Sequence, residues 1–230
     1  MSKNTSGKIG FCINQPEFER ISNQVIEKLK NIGTPALSDS LNKFNTLGPE
    51  IKPVYDDLIL VGQAFTVRMR PGDNLMLHKA ISMAGPGDVI MVDTCGCQNY
   101  SVLGDLMVSA AMKRGISGIV VDGGIRDIRE LREKKASIFA KTHTPAVGDK
   151  DGPGEINSPI SCGGVPVLPG DIIVGDINGV VVIPKHQLDI VIEGAEKKLA
   201  YEVIRAQEIE DGLVTKRDID KKLRAAGIIE

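Results

Sequence analysis

GDLMVSAAMKRGISGIVVDGGIRD, residues 104–127, holds a helix, a strand and a polar turn in immediate succession. Gly104 and Gly115 bracket the helix, with Leu106, Ala110 and Met112 available for packing. Gly118 to Val121 reads as a strand ending in the turn Asp122-Gly123-Gly124. A second helix is expected from Arg126 to Lys134, then a short strand from Ser137 to Ala140. Upstream, Pro86-Gly87-Asp88 launches the apolar run Val89-Ile90-Met91-Val92, a buried strand. Strands alternating with helices in this way predict an α/β fold whose central sheet is largely parallel, with right-handed crossovers and a layered arrangement.

Working outward, Leu58 to Met69 alternates and is β-branched, which predicts a strand with Gly62 as a bulge or close-contact point. Two helices should precede it and form an N-terminal layer. The first opens at Pro16, carries Phe18, Ile21, Val25, Ile26 and Leu29 at helical spacing, and ends at Gly33. The second has Thr34 as cap, Pro35 in its first turn, Leu37, Leu41 and Phe44 on one face, and Gly48 at its end. Pro-Gly-Asp turns recur at Pro71, Pro86 and Pro169, the last launching Ile172-Ile173-Val174. Between Pro145 and Pro169 the sequence predicts loops and short, mostly antiparallel strands, and Gly179 to Pro184 is a further buried strand. A long helix from Gln187 to Gln207 and a short one from Lys216 to Ala226 should follow. We read residues 1–230 as one domain, with 1–15 a flexible N-terminal segment.

Composition excludes several classes of function. With 42% hydrophobic and 25% charged residues and a net charge of −2, the chain has a globular profile and no electrostatic footprint for nucleic acid. The Lys134-Lys135 and Lys221-Lys222 pairs sit among acidic neighbours and read as solvated helix faces. No run approaches the roughly 18 apolar residues of a membrane span, and the N-terminus lacks an apolar signal core, so a cytoplasmic location is expected. Cys12, Cys95, Cys97 and Cys162 lack zinc-site spacing and read as reduced thiols. His78, His143 and His186 offer no motif for cysteine catalysis, and Lys79 and Lys113 read as surface residues rather than Schiff-base lysines.

Two strand ends run into polar turns, Asp93-Thr94 leading to Gly104-Asp105-Leu106 and Asp122-Gly123-Gly124 leading to Arg126-Asp127. If the strands are parallel neighbours, both turns share the edge where helix N-termini attract anions. Asp105 and Asp127 can each cap a helix. Capping does not explain Arg126 beside Asp127. A hard cation such as Mg2+ is held by one or two carboxylates plus water and substrate oxygens, and an arginine fork beside it would bind a substrate carboxylate. That pairing suits a 2-oxo acid. His143 and Asp149 are candidates for a distal carboxylate.

The chain resembles the RraA-like family, which contains class II pyruvate aldolases acting on 4-hydroxy-4-methyl-2-oxoglutarate and 4-carboxy-4-hydroxy-2-oxoadipate, and regulators of ribonuclease E. The likeness spans roughly Thr34 to Gln207 and rests on Gly62 to Val67, Pro86 to Val89, Gly104-Asp105-Leu106, Asp122 to Asp127, Pro169-Gly170-Asp171, Gly175-Asp176 and Gly179 to Pro184. Gln63 departs from it, standing where the family pattern has proline. The resemblance implies a fold of the swivelling β/β/α type and a homotrimer or hexamer. It implies that Asp127 anchors the metal, Mg2+ or alternatively Mn2+ or Co2+. Arg126 would hold substrate carboxylate, and the turn Gly104, Asp105, Leu106, Met107 would present amides to the pyruvyl group. Asp105 would serve acid–base chemistry through metal-bound water, and a C-terminal glutamate, Glu202 with Glu193, Glu196 and Glu208 as alternatives, would support a neighbouring subunit's site. The implied reaction is retro-aldol cleavage of a 4-hydroxy-2-oxo acid to pyruvate, with oxaloacetate decarboxylation as a side activity. The alternative is a non-catalytic regulator docking on a ribonuclease or helicase.

Overall fold

In the computed structural model, residues 5–6, 9–15 and 17–230 are described. Strands β1 (Thr5–Ser6) and β2 (Phe11–Ile13) fall within the stretch expected to be flexible, and β2 pairs in parallel with residues 154–156. The remainder of that stretch, apart from residues 9–15, lies outside the described residues, as does Pro16. Helix α1 (Asn23–Ile32) begins later than its apolar spacing suggests, with Ser22 as cap. The reason is Gln63, 3% exposed, whose Oε1 accepts from Ile21 N and whose Nε2 donates to Glu19 O. Those bonds hold residues 19–21 as a strap. Helix α2 (Thr34–Ser40) stops short of Gly48, because Asn42, Lys43 and Asn45 take positive φ and turn the chain, leaving Phe44 exposed.

Next come β3 (Lys52–Pro53), β4 (Leu60–Met69), α3 (Leu75–Met83), β5 (Asp88–Asp93), β6 (Ser101–Leu103) and α4 (Asp105–Lys113). They lead to β7 (Gly118–Ile125), α5 (Ile128–Glu133) and β8 (Ile138–His143). Beyond these lie β9 (Gly154–Ile156), β10 (Ile160–Cys162), β11 (Val165–Val167), β12 (Ile172–Asp176) and β13 (Gly179–Ile183). Helices α6 (Leu188–Glu210) and α7 (Arg217–Ala225) close the chain.

Eleven of the described strands form one sheet in which β4, β5, β7 and β8 lie side by side and parallel. Residues 89–92 are wholly buried, as strands covered on both faces must be. The long β4 serves two partners on its other edge, β12 along its first half and β9 along its last three residues, both antiparallel. Gly62 is the close-contact point: a Cβ there would stand 2.7 Å from Gly87 O. Helices α3, α4 and α5 pack as one layer, and the β10–β11 hairpin packs against β4 and β5. A second core, around Leu29, Leu37, Val174, Val181 and Val191, joins α1, α2 and α6 to the β12–β13 hairpin.

Two readings change where they bear on function. Asp122-Gly123-Gly124 is no turn; β7 continues to Ile125 with a register shift after Val121, and β6 runs beside its end. Gly124 makes room for the chain entering β6, since a Cβ there would stand 2.6 Å from Tyr100 O, and Gly123 makes room for Thr94 and Cys97. On α4 the packing face is Val108 and Ala111, while Leu106 is 84% exposed and Ala110 and Met112 also face out.

Candidate active site

Because β5 and β7 are parallel neighbours, the chain segments leaving their carboxyl ends meet on one edge. There, Arg126 N donates to Leu103 O at 3.0 Å, which lays the Arg126-Asp127 turn against the start of α4. Asp127 takes the left-handed conformation, φ 60 and ψ 38, and does not cap its own helix α5. Its Oδ2 instead accepts Asp105 N–H at 2.9 Å, capping α4 from 22 residues away. Arg126 Nε lies 3.6 Å from the same oxygen. Gly104 permits this closeness: a Cβ there would meet Asp127 Oδ2 at 2.6 Å and Arg126 Nε at 3.0 Å.

The first turn of α4 leaves Leu106 and Met107 N–H without a protein acceptor among the described residues, a ready seat for an anion. Asp105 is held from behind by Lys134, whose Nζ also donates to Ser109 Oγ at 2.7 Å. Lys134 thus remains on an exposed helix face, as expected, while its ammonium is tied to the start of α4. These residues enclose a cavity of about 230 Å³ that brings together Gly104, Asp105, Leu106, Met107, Arg126 and Asp127. Sequence reasoning missed Asn74, His78, Ser101, Val147 and Lys150, which complete its walls. Asn74 (4% exposed) and Ser101 (1%) each carry a side-chain oxygen with no hydrogen-bond partner among the described residues. Their polar character was visible in the sequence, but they arrive from the start of α3 and from β6, with no motif to mark them.

Two expected residues stand elsewhere. His143 lines an adjoining hollow with Thr144 and Pro145, and Asp149 is turned toward Arg70 at 4.0 Å, so neither borders the cavity. Glu202 lies exposed on α6, 3.7 Å from Lys198, and lines none of the hollows described here.

The donor set suits a hard cation held mostly by water and substrate. Among the described residues no three His, Cys, Asp or Glu side chains converge as a cage. Asp127 borders the cavity and offers one oxygen, Oδ1, that carries no protein hydrogen bond among the described residues. The cysteines are no rival to this site: Cys162 is buried, and that desolvation pushes its thiol well above the ordinary value.

The model of the RraA-like family, described as Aldolase/RraA, matches residues 34–182. The chain is similar to a Halalkalibacterium halodurans protein named "Putative 4-hydroxy-4-methyl-2-oxoglutarate aldolase", 43% identical over 86% of this chain and 94% of that one. It is also similar to the 4-hydroxy-4-methyl-2-oxoglutarate aldolase of Thermus thermophilus, 35% identical over 66% of this chain and 92% of that one. Among solved structures, Streptomyces coelicolor RraAS2, described as an unusual member of the RNase ES inhibitor RraA family, superposes with a TM-score of 0.75. It is 27% identical, over 83% of this chain and 99% of that one.

Proposed function

The chain belongs to the RraA-like family, and on that premise we propose that it is a divalent-metal-dependent aldolase releasing pyruvate from a 4-hydroxy-2-oxo acid of the 4-hydroxy-4-methyl-2-oxoglutarate type. The observation that carries this reading is the meeting of Arg126, Asp127 and the unpaired amides of α4 around one small cavity. Asp127, with water and substrate oxygens, would hold the cation, Mg2+ by preference with Mn2+ or Co2+ as substitutes. When bound, the cation supplies Lewis-acid polarisation of the 2-oxo group.

The protein's own groups do the rest. Arg126 binds the substrate carboxylate as a planar fork, and the amides of Leu106 and Met107 add hydrogen bonds to the pyruvyl half. Asp105 accepts the proton of the C4 hydroxyl. The C3–C4 bond then breaks, C4 becomes a carbonyl, and the electron pair passes into the pyruvyl half as an enolate that takes a proton at C3. Oxaloacetate would lose carbon dioxide by the same electron flow, using the same Arg126.

We infer a homo-oligomer, a trimer or hexamer as the likeness to the family implies; the apolar groove of about 440 Å³ that Leu106 and Ala110 border beside the cavity is surface that such a neighbour could cover. In such an assembly Glu202 would reach a neighbour's cavity. Purified protein with Mg2+ should release pyruvate from a panel of 4-hydroxy-2-oxo acids and from oxaloacetate, and borohydride with pyruvate should trap no lysine adduct. A trapped lysine would move the chemistry to a Schiff base. A second reading, a regulator docking on a ribonuclease, draws on the likeness to RraAS2; inhibition of such an enzyme that survives Arg126→Ala would support it.

A further inference from the structure

The cavity has a second charged wall. Arg126 and Asp127 form one side, where they also border the hollow containing His143. His78 lines the same cavity and also borders a different hollow, the groove beside Ile81 and Ala110. Lys150 lines the cavity together with His78. Burial first, and the charge of Lys150 second, hold the His78 imidazole below its ordinary value, so this wall carries one cation beside a neutral ring.

That cation is uncommitted. Lys134 is taken by Asp105, and Arg70 by Asp73 with Asp149 and Asp151 nearby, whereas Lys150 has no ion pair or hydrogen-bond partner among the described residues. Nor does it hang from a loose loop. Asp73, fully buried, accepts from Asp151 N at 2.8 Å and Gly152 N at 2.9 Å, while Asn74 N donates to Asp149 O at 2.9 Å and Asp149 N donates to Gly72 O at 2.7 Å. The backbone on both sides of Lys150 is thereby fixed to the start of α3.

We propose that Lys150 is a specificity-determining residue, receiving the second carboxylate of a dicarboxylic 4-hydroxy-2-oxo acid whose pyruvyl end lies at Arg126, with His78 hydrogen-bonding beside it. The inference rests on the aldolase reading and adds the substrate's far end to it. Wild type and Lys150→Met, both with Mg2+, are compared on 4-hydroxy-4-methyl-2-oxoglutarate and on 4-hydroxy-2-oxopentanoate, which lacks the carboxylate on C4. The variant should lose about tenfold or more in kcat/KM on the first and less than about twofold on the second, while Lys150→Arg keeps the preference. Calorimetry with 2-oxoglutarate and 2-oxopentanoate reads the same selectivity without turnover: wild type should favour the dicarboxylate and Lys150→Met should bind both alike. Equal losses on both substrates, an intact preference in Lys150→Met, or a wild type with no preference would overturn the role. Failure of the aldolase reading shows separately, as no pyruvate from either substrate, and the calorimetric preference still decides for or against Lys150.

Discussion

Asp127 shows how much one residue is asked to do. It holds a left-handed backbone that costs a non-glycine residue on the order of 1 kcal/mol, caps a helix not its own, and keeps one oxygen in reserve. Arg126 sits beside it and lines the same cavity, and the proposed roles of the two residues separate by mutation. Losing a charge-assisted bidentate contact should lower kcat/KM in Arg126→Ala by about a hundredfold, and Arg126→Lys should recover little. Asp127→Ala should instead raise the Mg2+ concentration needed for half-maximal rate. Near-normal turnover by Arg126→Ala in steady-state pyruvate assays would place carboxylate binding elsewhere. These residues were legible because they lie in two short motifs at strand ends. Lys150, Lys134 and Asn74 were not, since nothing in their local sequence says which distant turn they will face.

At the scale of elements, the recurrent device is an aspartate holding backbone that is remote in sequence. Asp176 accepts from both Thr34 N at 2.8 Å and Thr34 Oγ1 at 2.7 Å, so α2 is capped from the β12–β13 hairpin and not by its own threonine. The three Pro-Gly-Asp motifs read as turns, and so they are, with buried aspartates that each accept a backbone N–H two or three residues away. Asp73 also accepts from Asp151 N and Gly152 N, and Asp171 from Lys185 N, which the local motif does not reveal. Sequence shows such residues as local caps because propensity carries no information about partners far along the chain. The outer face of α4 was misread for a related reason: Leu106 and Met112 are apolar without being covered by this chain. Asp73 gives the element-scale prediction. Burial alone would raise its carboxyl, but the N–H groups of Leu75, Asp151 and Gly152, with Arg70, outweigh that and hold it below the ordinary value. A depressed carboxyl contributes stability that is full above its unfolded pKa and lost as pH falls through the folded one. Wild type should therefore exceed Asp73→Asn by on the order of 2 kcal/mol in urea unfolding from about pH 5 to 8, the gap closing below about pH 4. A gap that widens in acid would contradict the assignment.

For the whole molecule, the sequence displayed the β5-β7-β8 part of the parallel sheet because those strands are short apolar runs with the helices α4 and α5 legible between them. By contrast, β4 was legible only as a strand, and α3, which links it to β5, was not read. The antiparallel attachments of β9 and β12 to a single edge of β4 were not legible, since pairing order depends on which surface of the sheet each core covers. The assembled fold sets an arginine, an aspartate and two backbone amides around one cavity, with one aspartate oxygen and both amides lacking a protein partner among the described residues, and on that arrangement the proposed reading of a 2-oxo acid at a cation rests. Among the described residues no helix is long and apolar enough to cross a membrane. The most direct test is pyruvate release from 4-hydroxy-4-methyl-2-oxoglutarate by the purified chain, before and after EDTA and again after excess Mg2+ or Mn2+. Abolition by the chelator with recovery on adding metal is the predicted result; full activity in EDTA would contradict the metal-dependent mechanism at its root.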